Sequence, residues 1–309
     1  MRILIVRLSA LGDVVCTLPV ASALRETYPE SEIVWIADRR FAGIAECCSA
    51  INQVVVAPRG VAESRDLMSR LGRFDLALDM QGLLKSGILV GAADAEEKLG
   101  YHWQREGSWL FSSRVKPDPT SIHIVDQYVD VARAAGANTD HAVFGLFPRE
   151  EDLVAVRSKL SSARVDSARP IVILNAGAGW STKRWPAAHF GSLATALTNA
   201  GAQPVFIGTD ADRMAFEEVR AHSEHAIDFL GQTSVRELVA LCSLAELHVA
   251  GDTGSTHLAA ALGKPCIGLY TLTRPERSCP YGQLHHSKEL EPEKVIRMAM
   301  KLLNQKVPA

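Results

Sequence analysis

Eight consecutive residues, Ala250-Gly251-Asp252-Thr253-Gly254-Ser255-Thr256-His257, combine two glycines, three hydroxyls, a carboxylate and an imidazole. They sit between the apolar run 245–249 and Leu258-Ala259-Ala260-Ala261-Leu262, which is the pattern of a strand, a turn and a helix. Gly251 and Gly254 let the backbone turn tightly and approach a ligand closely. Asp252, Thr253, Ser255 and Thr256 are all residue types that cap helices. A helix start exposes unpaired N–H groups and the positive end of its dipole, so a phosphate is its natural guest. Thr253, Ser255 and Thr256 would add hydroxyl donors, with His257 within reach. An ordinary capped turn has the same composition, so the stretch suggests a phosphate site without naming a substrate.

Two more turns carry chemistry. Asn175-Ala176-Gly177-Ala178-Gly179-Trp180-Ser181-Thr182-Lys183-Arg184-Trp185-Pro186 follows the apolar run 171–174. It lacks the third glycine of the dinucleotide fingerprint and does not match the P-loop, which counts against an oxidoreductase or a P-loop NTPase. Gly177 and Gly179 permit close approach, and Lys183 and Arg184 supply charge. A cation from this turn and a helix start from the other could clamp a diphosphate; the alternative is a loop with two solvated cations. Nearer the start, Ser9-Ala10-Leu11-Gly12-Asp13 follows the apolar run 3–6. Asp13 is either a general base for an acceptor hydroxyl or a helix cap.

These turns need strands to carry them. Apolar runs at 3–6, 33–37, 53–57, 76–78, 171–174, 204–208, 245–249 and 266–270 alternate with helical stretches, which predicts parallel sheets wound on both faces. Helices are expected at about 17–28, 63–72, 122–136, 186–200, 211–222, 235–243 and 291–304. Pro19 argues for a first helix beginning near Thr17, with the proline in its first turn. A Pro148-centred charged stretch at 144–151 reads as a linker, giving an N-terminal domain over 1–150 and a C-terminal domain over 151–309, with the last helix free to pack back on the first domain. In α/β sheets ligands bind at strand C-terminal ends, so all three turns belong on the functional edge.

Composition narrows the classes. The chain has 309 residues, 47% of them hydrophobic and 22% charged, enough for two packed cores. A net charge of −2 gives no sign of a nucleic-acid partner. The opening Met1-Arg2-Ile3-Leu4-Ile5-Val6-Arg7 reads as a strand rather than a signal peptide. The cysteines at 16, 47, 48, 242, 266 and 279 form no C-x-x-C pair, and buried thiols in a reducing cytoplasm are expected.

Ser9-Ala10-Leu11-Gly12-Asp13-Val14, Lys183-Arg184-Trp185-Pro186 and Asp252-Thr253-Gly254-Ser255-Thr256-His257-Leu258 resemble the heptosyltransferase group of the family 9 glycosyltransferases. The resemblance runs in order through nearly the whole chain. Asp79-Met80-Gln81-Gly82-Leu83-Leu84-Lys85-Ser86 and the segment 103–111 are most similar to the heptosyltransferase I branch. It implies a GT-B fold of two Rossmann-like domains, the acceptor bound by the first and the nucleotide sugar by the second. It also implies an inverting transfer of heptose from ADP-heptose to a lipid-linked Kdo acceptor at the inner face of the cytoplasmic membrane, by a cytoplasmic enzyme attached peripherally or not at all.

By the same resemblance Asp13 is the base and Lys183 pairs with the donor phosphates. Gly179, Asp252, Thr253, Gly254, Ser255 and His257 surround the donor sugar and phosphates. Thr209, Asp210, Gln232 and Thr233 fall where ribose and base are expected. Ser9, Ala10, Gly12, Arg65, Arg70, Gln81 and Lys85 are the acceptor-side candidates. No cofactor or metal is expected; Asp210-Ala211-Asp212 spells D-x-D but stands at a helix start, where capping explains it. Residues 1–150 hold 16 Lys+Arg and 19 Asp+Glu, a net of −3, so broad electrostatic adhesion to a membrane is not expected. A local cluster of Arg59, Arg65, Arg70, Arg73, Lys85 and Arg105 either grips acceptor anions or forms a solvated face.

Overall fold

The computed structural model describes residues 1–177, 184–271 and 273–304. The chain divides into two units, Met1–Phe147 and Pro148–Ala309.

The first unit is built on six parallel strands: β1 (Arg2–Val6), β2 (Glu32–Ala37), β3 (Gln53–Val56), β4 (Phe74–Asp79), β5 (Ala95–Tyr101) and β6 (Ser113–Val115). Their order across the sheet is β3-β2-β1-β4-β5-β6. Ile3, Leu4, Ile5 and Val6 are fully buried, as a central strand covered on both faces requires. Four helices connect strands, α1 (Leu11–Thr27), α2 (Ala42–Glu46), α3 (Val61–Leu71) and α4 (Leu84–Ala92), and α5 (Ile124–Ala134) follows β6. After β1 the chain leaves toward β2, and β4 lies on the other side of β1, so the order reverses between β1 and β4. That reversal opens a crevice at the strand ends.

α1 departs from expectation. It starts at Leu11, not near Thr17, and holds Pro19 in its interior. The Asp13 carboxylate turns back to accept from the Ala10 N–H, and the Val14 N–H donates to the Ala10 carbonyl at 2.9 Å, which fixes the first turn well before the proline. The missing proline N–H costs one helical hydrogen bond without ending the helix.

The second unit contains α6 (Glu150–Ser162), β7 (Ile171–Asn175), α7 (Ala187–Asn199), β8 (Gln203–Phe206), α8 (Arg213–Arg220), β9 (Ile227–Asp228) and α9 (Val235–Leu244). It continues with β10 (Leu247–Ala250), α10 (Gly254–Ala261), β11 (Cys266–Gly268), α11 (Pro275–Ser278) and α12 (Pro292–Asn304). The parallel sheet runs β11-β10-β7-β8-β9, reversing between β7 and β10. An aromatic relay fills one face: Trp185, Phe190, Phe206 and Phe216 meet successively at ring distances of 5.0, 6.2 and 5.5 Å. α12 packs against α7 and β10 of its own unit, burying Val295 and Ala299. All six cysteines are buried thiols, and burial pushes Cys48 and Cys279 up to about 11 and Cys242 to about 12.

Candidate functional site

The parallel register brings the chemistry-bearing turns of each unit to one sheet edge. In the first unit Val6 pairs with Asp79, so the turns after β1 and β4 leave side by side. Gln81 stitches them: its Oε1 accepts the N–H groups of Leu8 at 3.0 Å and Ser9 at 3.1 Å. Asp79 Oδ1 accepts the N–H groups of Gln81 and Gly82, holding that turn, and burial raises the Asp79 carboxyl above the usual range. Gly82 has a positive φ, and a Cβ there would meet the Trp103 carbonyl oxygen at 2.5 Å.

Asp13 stands in the first turn of α1, half-exposed. Its Oδ2 pairs with Arg7 Nη2 at 2.9 Å. Arg7 itself is buried, donates through Nη1 to the Met80 carbonyl, and lies 5.1 Å from the Tyr128 ring centre. Burial works against the guanidinium charge, yet Tyr128 and Asp13 outweigh it and keep Arg7 firmly protonated. A fixed buried cation behind an accessible carboxylate aims that carboxylate. Ser9, Ala10 and Gly12 surround this turn.

The remaining basic candidates separate. A cleft of about 320 Å³ lies among Pro58–Gly60, the start of α3 and the start of α4, and its cations are Arg59 and Lys85. Arg65 and Arg70 occupy exposed positions on α3, where Arg70 pairs with Asp66 at 3.0 Å, and they do not line that cleft. Arg73 is paired with Glu96.

In the second unit Asn175 pairs in register with Ala250, so the turns after β7 and β10 leave the sheet together. Asn175 Oδ1 accepts the Gly177 N–H at 2.9 Å while Nδ2 donates to Ser255 Oγ at 3.1 Å. Thr253 Oγ1 lies 3.0 Å from Ser255 Oγ and 3.2 Å from Thr256 Oγ1, and Thr256 Oγ1 donates to the Gly251 carbonyl at 2.8 Å. Thr253 takes the N-cap position without a side-chain cap bond. Its hydroxyl is therefore spent on neighbouring hydroxyls, and the first amides of α10, at Gly254 and Ser255, have no partner within the helix. Asp252 and His257 flank this start, 3.7 Å apart.

Around it, the Asp212 carboxylate accepts from the Thr209 N–H at 2.8 Å and from its hydroxyl at 2.9 Å. That is the capping arrangement expected for D-x-D at a helix start. A Cβ on Gly177 would collide with Asp212, so that glycine is required by close packing of the β7 and β8 turns. Gln232 and Thr233 follow β9, with the Gln232 carbonyl accepting from Lys159 at 2.8 Å. Gly179 and Lys183 lie outside the described residues. A larger cleft, about 680 Å³ and lined by Arg157, Arg169 and Glu246, opens at the opposite, N-terminal edge of the sheet, where none of these turns reaches. Among the described residues no group of three or more metal-ligating side chains converges.

The sequence assigns no role to Arg7 or to Asn175. Their only local signal is position: Arg7 and Asn175 each stand where an apolar strand ends.

Two doubly wound parallel sheets, each with polar turns gathered at its strand-reversal point, are the architecture of the GT-B fold class. Residues 65–303 match glycosyltransferase family 9 (heptosyltransferase), and the chain belongs to that family. It is 28% identical over 293 residues to the lipopolysaccharide core heptosyltransferase OpsX of Haemophilus influenzae, covering 91% of this chain and 82% of that protein. It is 29% identical to lipopolysaccharide heptosyltransferase 1 of Pseudomonas aeruginosa, covering 92% and 82% of the two chains. Identity to lipopolysaccharide heptosyltransferase 2 of Salmonella typhimurium is 27%, covering 91% and 85%. Identities this similar do not separate the two heptosyltransferase types.

Among solved structures, E. coli ADP-heptose lps heptosyltransferase II superposes with a TM-score of 0.84 at 22% identity, covering 99% of each chain. E. coli heptosyltransferase WaaC with ADP superposes with a TM-score of 0.77 at 22% identity, covering 98% of this chain and 100% of that one. Among the described residues no helix is long and apolar enough to cross a membrane.

Proposed function

We propose that the chain transfers heptose from ADP-heptose, with inversion, to a lipid-linked Kdo acceptor of the lipopolysaccharide inner core, adding the first heptose. The observation that carries the donor half is the Asn175–Ser255 tie, which joins the two turns at the reversal point of the second sheet and sets the α10 start beside them. In this reading the Gly254 and Ser255 amides and the Thr253 hydroxyl hold the diphosphate, and Asp252 and His257 meet the sugar. Thr209, Asp210, Gln232 and Thr233 take the ribose and base. Lys183, with Gly179, adds charge at the leaving group.

Asp13 accepts the proton of the acceptor hydroxyl as that oxygen attacks the anomeric carbon and the bond from carbon to the diphosphate oxygen breaks. The negative charge growing on the diphosphate is greatest late in the step, where a helix start and a lysine stabilise it most. Ser9, Ala10, Gly12 and Gln81 shape the acceptor side. Arg59 and Lys85, rather than Arg65 and Arg70, bind its anionic groups. The enzyme acts in the cytoplasm at the inner face of the membrane, with no metal in the step.

The test is a donor screen read by release of the nucleoside diphosphate. ADP-heptose should turn over with Kdo-lipid A, whereas UDP- and GDP-hexoses should not. Product formed only on an acceptor that already carries one heptose would move the activity to the second addition. Nucleotide binding without any product would leave a binding protein.

A further inference from the structure

The loop over residues 102–112 gathers apolar side chains on the outside of the first unit. Trp103 is 49% exposed, Trp109 52% and Leu110 76%, and Leu84 at the start of α4 is 44% exposed. The loop is held in place on α4 and the turn before it. The Trp103 carbonyl packs over Gly82, the Arg105 N–H donates to the Gly82 carbonyl at 2.8 Å, and Glu106 accepts from the Leu84 N–H at 3.3 Å. Ser108 and the Phe111 ring pack on Gly87, where any side chain would intrude. The exposed tryptophans and leucines therefore belong to a preformed surface, and clustered exposed apolar groups of this kind mark interaction sites.

Charge indicates the partner. Residues 102–117 carry Arg105, Arg114 and Lys116 against Glu106 alone, within a net-negative N-terminal half. Arg114 is exposed on β6, the edge strand of the sheet, and Lys116 is exposed just beyond it. Lys85 is exposed in the first turn of α4. Tryptophan and leucine tips among arginines and lysines suit the zone where acyl chains meet charged headgroups: the rings sit at headgroup depth and the cations meet anionic lipid.

We propose that this face of the first unit is a docking surface for an anionic lipid bilayer. It extends the lipid-anchored acceptor of the proposed function, and it is tested without donor or acceptor so that the two readings fail separately. The full chain is sedimented with phosphatidylglycerol/phosphatidylethanolamine vesicles and with neutral phosphatidylcholine vesicles. The wild type should partition into the anionic vesicles only, with brominated lipid quenching its tryptophan emission. Trp109→Ser with Leu110→Ser, and Arg105→Ala with Arg114→Ala and Lys116→Ala, should each lower the partition at least tenfold while leaving ADP-induced thermal stabilisation intact. Failure of the wild type to sediment, equal partition into neutral vesicles, or no quenching by brominated lipid would overturn the proposal. So would self-association in the absence of lipid that Trp109→Ser with Leu110→Ser abolishes, which would assign the face to a second copy of the chain.

Discussion

Asn175 Nδ2 reaches Ser255 Oγ at 3.1 Å, tying the last residue of β7 to the first turn of α10. The same side chain accepts the Gly177 N–H, so one amide sets both turns at the reversal point of the second sheet. Asn175→Ala removes both bonds. With each worth about 1 kcal/mol, ADP affinity should fall by about tenfold or somewhat more, read by calorimetry, with the melting temperature of the unliganded protein lowered by only a few degrees. Unchanged ADP affinity would detach these turns from the donor.

Gly177 tests the same region sterically. The methyl of Gly177→Ala would enter the space of the Asp212 carboxylate, which caps the turn at Thr209. Displacing that cap should cost about 1 kcal/mol and loosen the turn after β8. Nucleotide binding should weaken, whereas Ala at Gly201, where a Cβ meets nothing within 4 Å but φ is +84°, should lower stability without touching affinity.

Asp13 and Arg7 separate chemistry from positioning. Asp13→Asn should lower kcat by about 10²–10⁴ with ADP affinity retained, as expected for loss of a general base. Arg7→Met leaves Asp13 without its buried partner and the Met80 carbonyl without its donor. It should lower kcat and also destabilise the fold by about 2 kcal/mol, seen as a lower denaturation midpoint. A near-normal rate in Asp13→Asn would reduce Asp13 to a capping residue.

Acceptor recognition is predicted to rest on the cleft beside α3 and α4. Arg59→Ala with Lys85→Ala should raise the acceptor KM by about tenfold or more and leave ADP binding alone. Arg65→Ala with Arg70→Ala should change little, because both positions are solvated and Arg70 is already paired with Asp66. The reverse pattern would return the acceptor to the α3 face.

His248 makes the second unit acid-sensitive. It is fully buried on β10, neither ring nitrogen has a hydrogen-bond partner among the described residues, and burial lowers its pKa from 6.5 to about 3. Between those values the unfolded chain binds a proton that the folded chain does not. Stability therefore rises with pH across that window and is flat above it from this group, with a slope of up to about 1.4 kcal/mol per pH unit. His248→Leu should flatten the fall in melting temperature between pH 7 and pH 4.5; an unchanged profile would place the acid sensitivity elsewhere.

Much of this site could be read in the sequence, because glycine and hydroxyl residues after an apolar run mean the same thing in any fold. The α10 start and the Asp13 turn were legible for that reason. Asn175 and Arg7 were not, since their roles depend on which strand lies beside theirs, and adjacency is fixed by the whole sheet. The split of the basic cluster was likewise invisible: Arg59 stands in the turn before α3 and Arg65 on the helix itself, and only the packing of that turn beside α4 separates them. β5 escaped notice because its first half, Ala95-Glu96-Glu97-Lys98, is polar near the sheet margin, and β9 has only two residues. α6 opens with Glu150, Glu151 and Asp152, charges that read as linker but serve as a favourable first turn. Pro19 does not delay α1, because Asp13 already locks the first turn ahead of it.

The burial of all six thiols has a practical outcome. With Cys48, Cys242 and Cys279 held far from thiolate at neutral pH, alkylating dyes would find little to react with in the native protein. A single cysteine engineered on the exterior of each unit would then take the label selectively, and fluorescence energy transfer between the two dyes could follow ligand-driven motion in a chain that keeps every native cysteine.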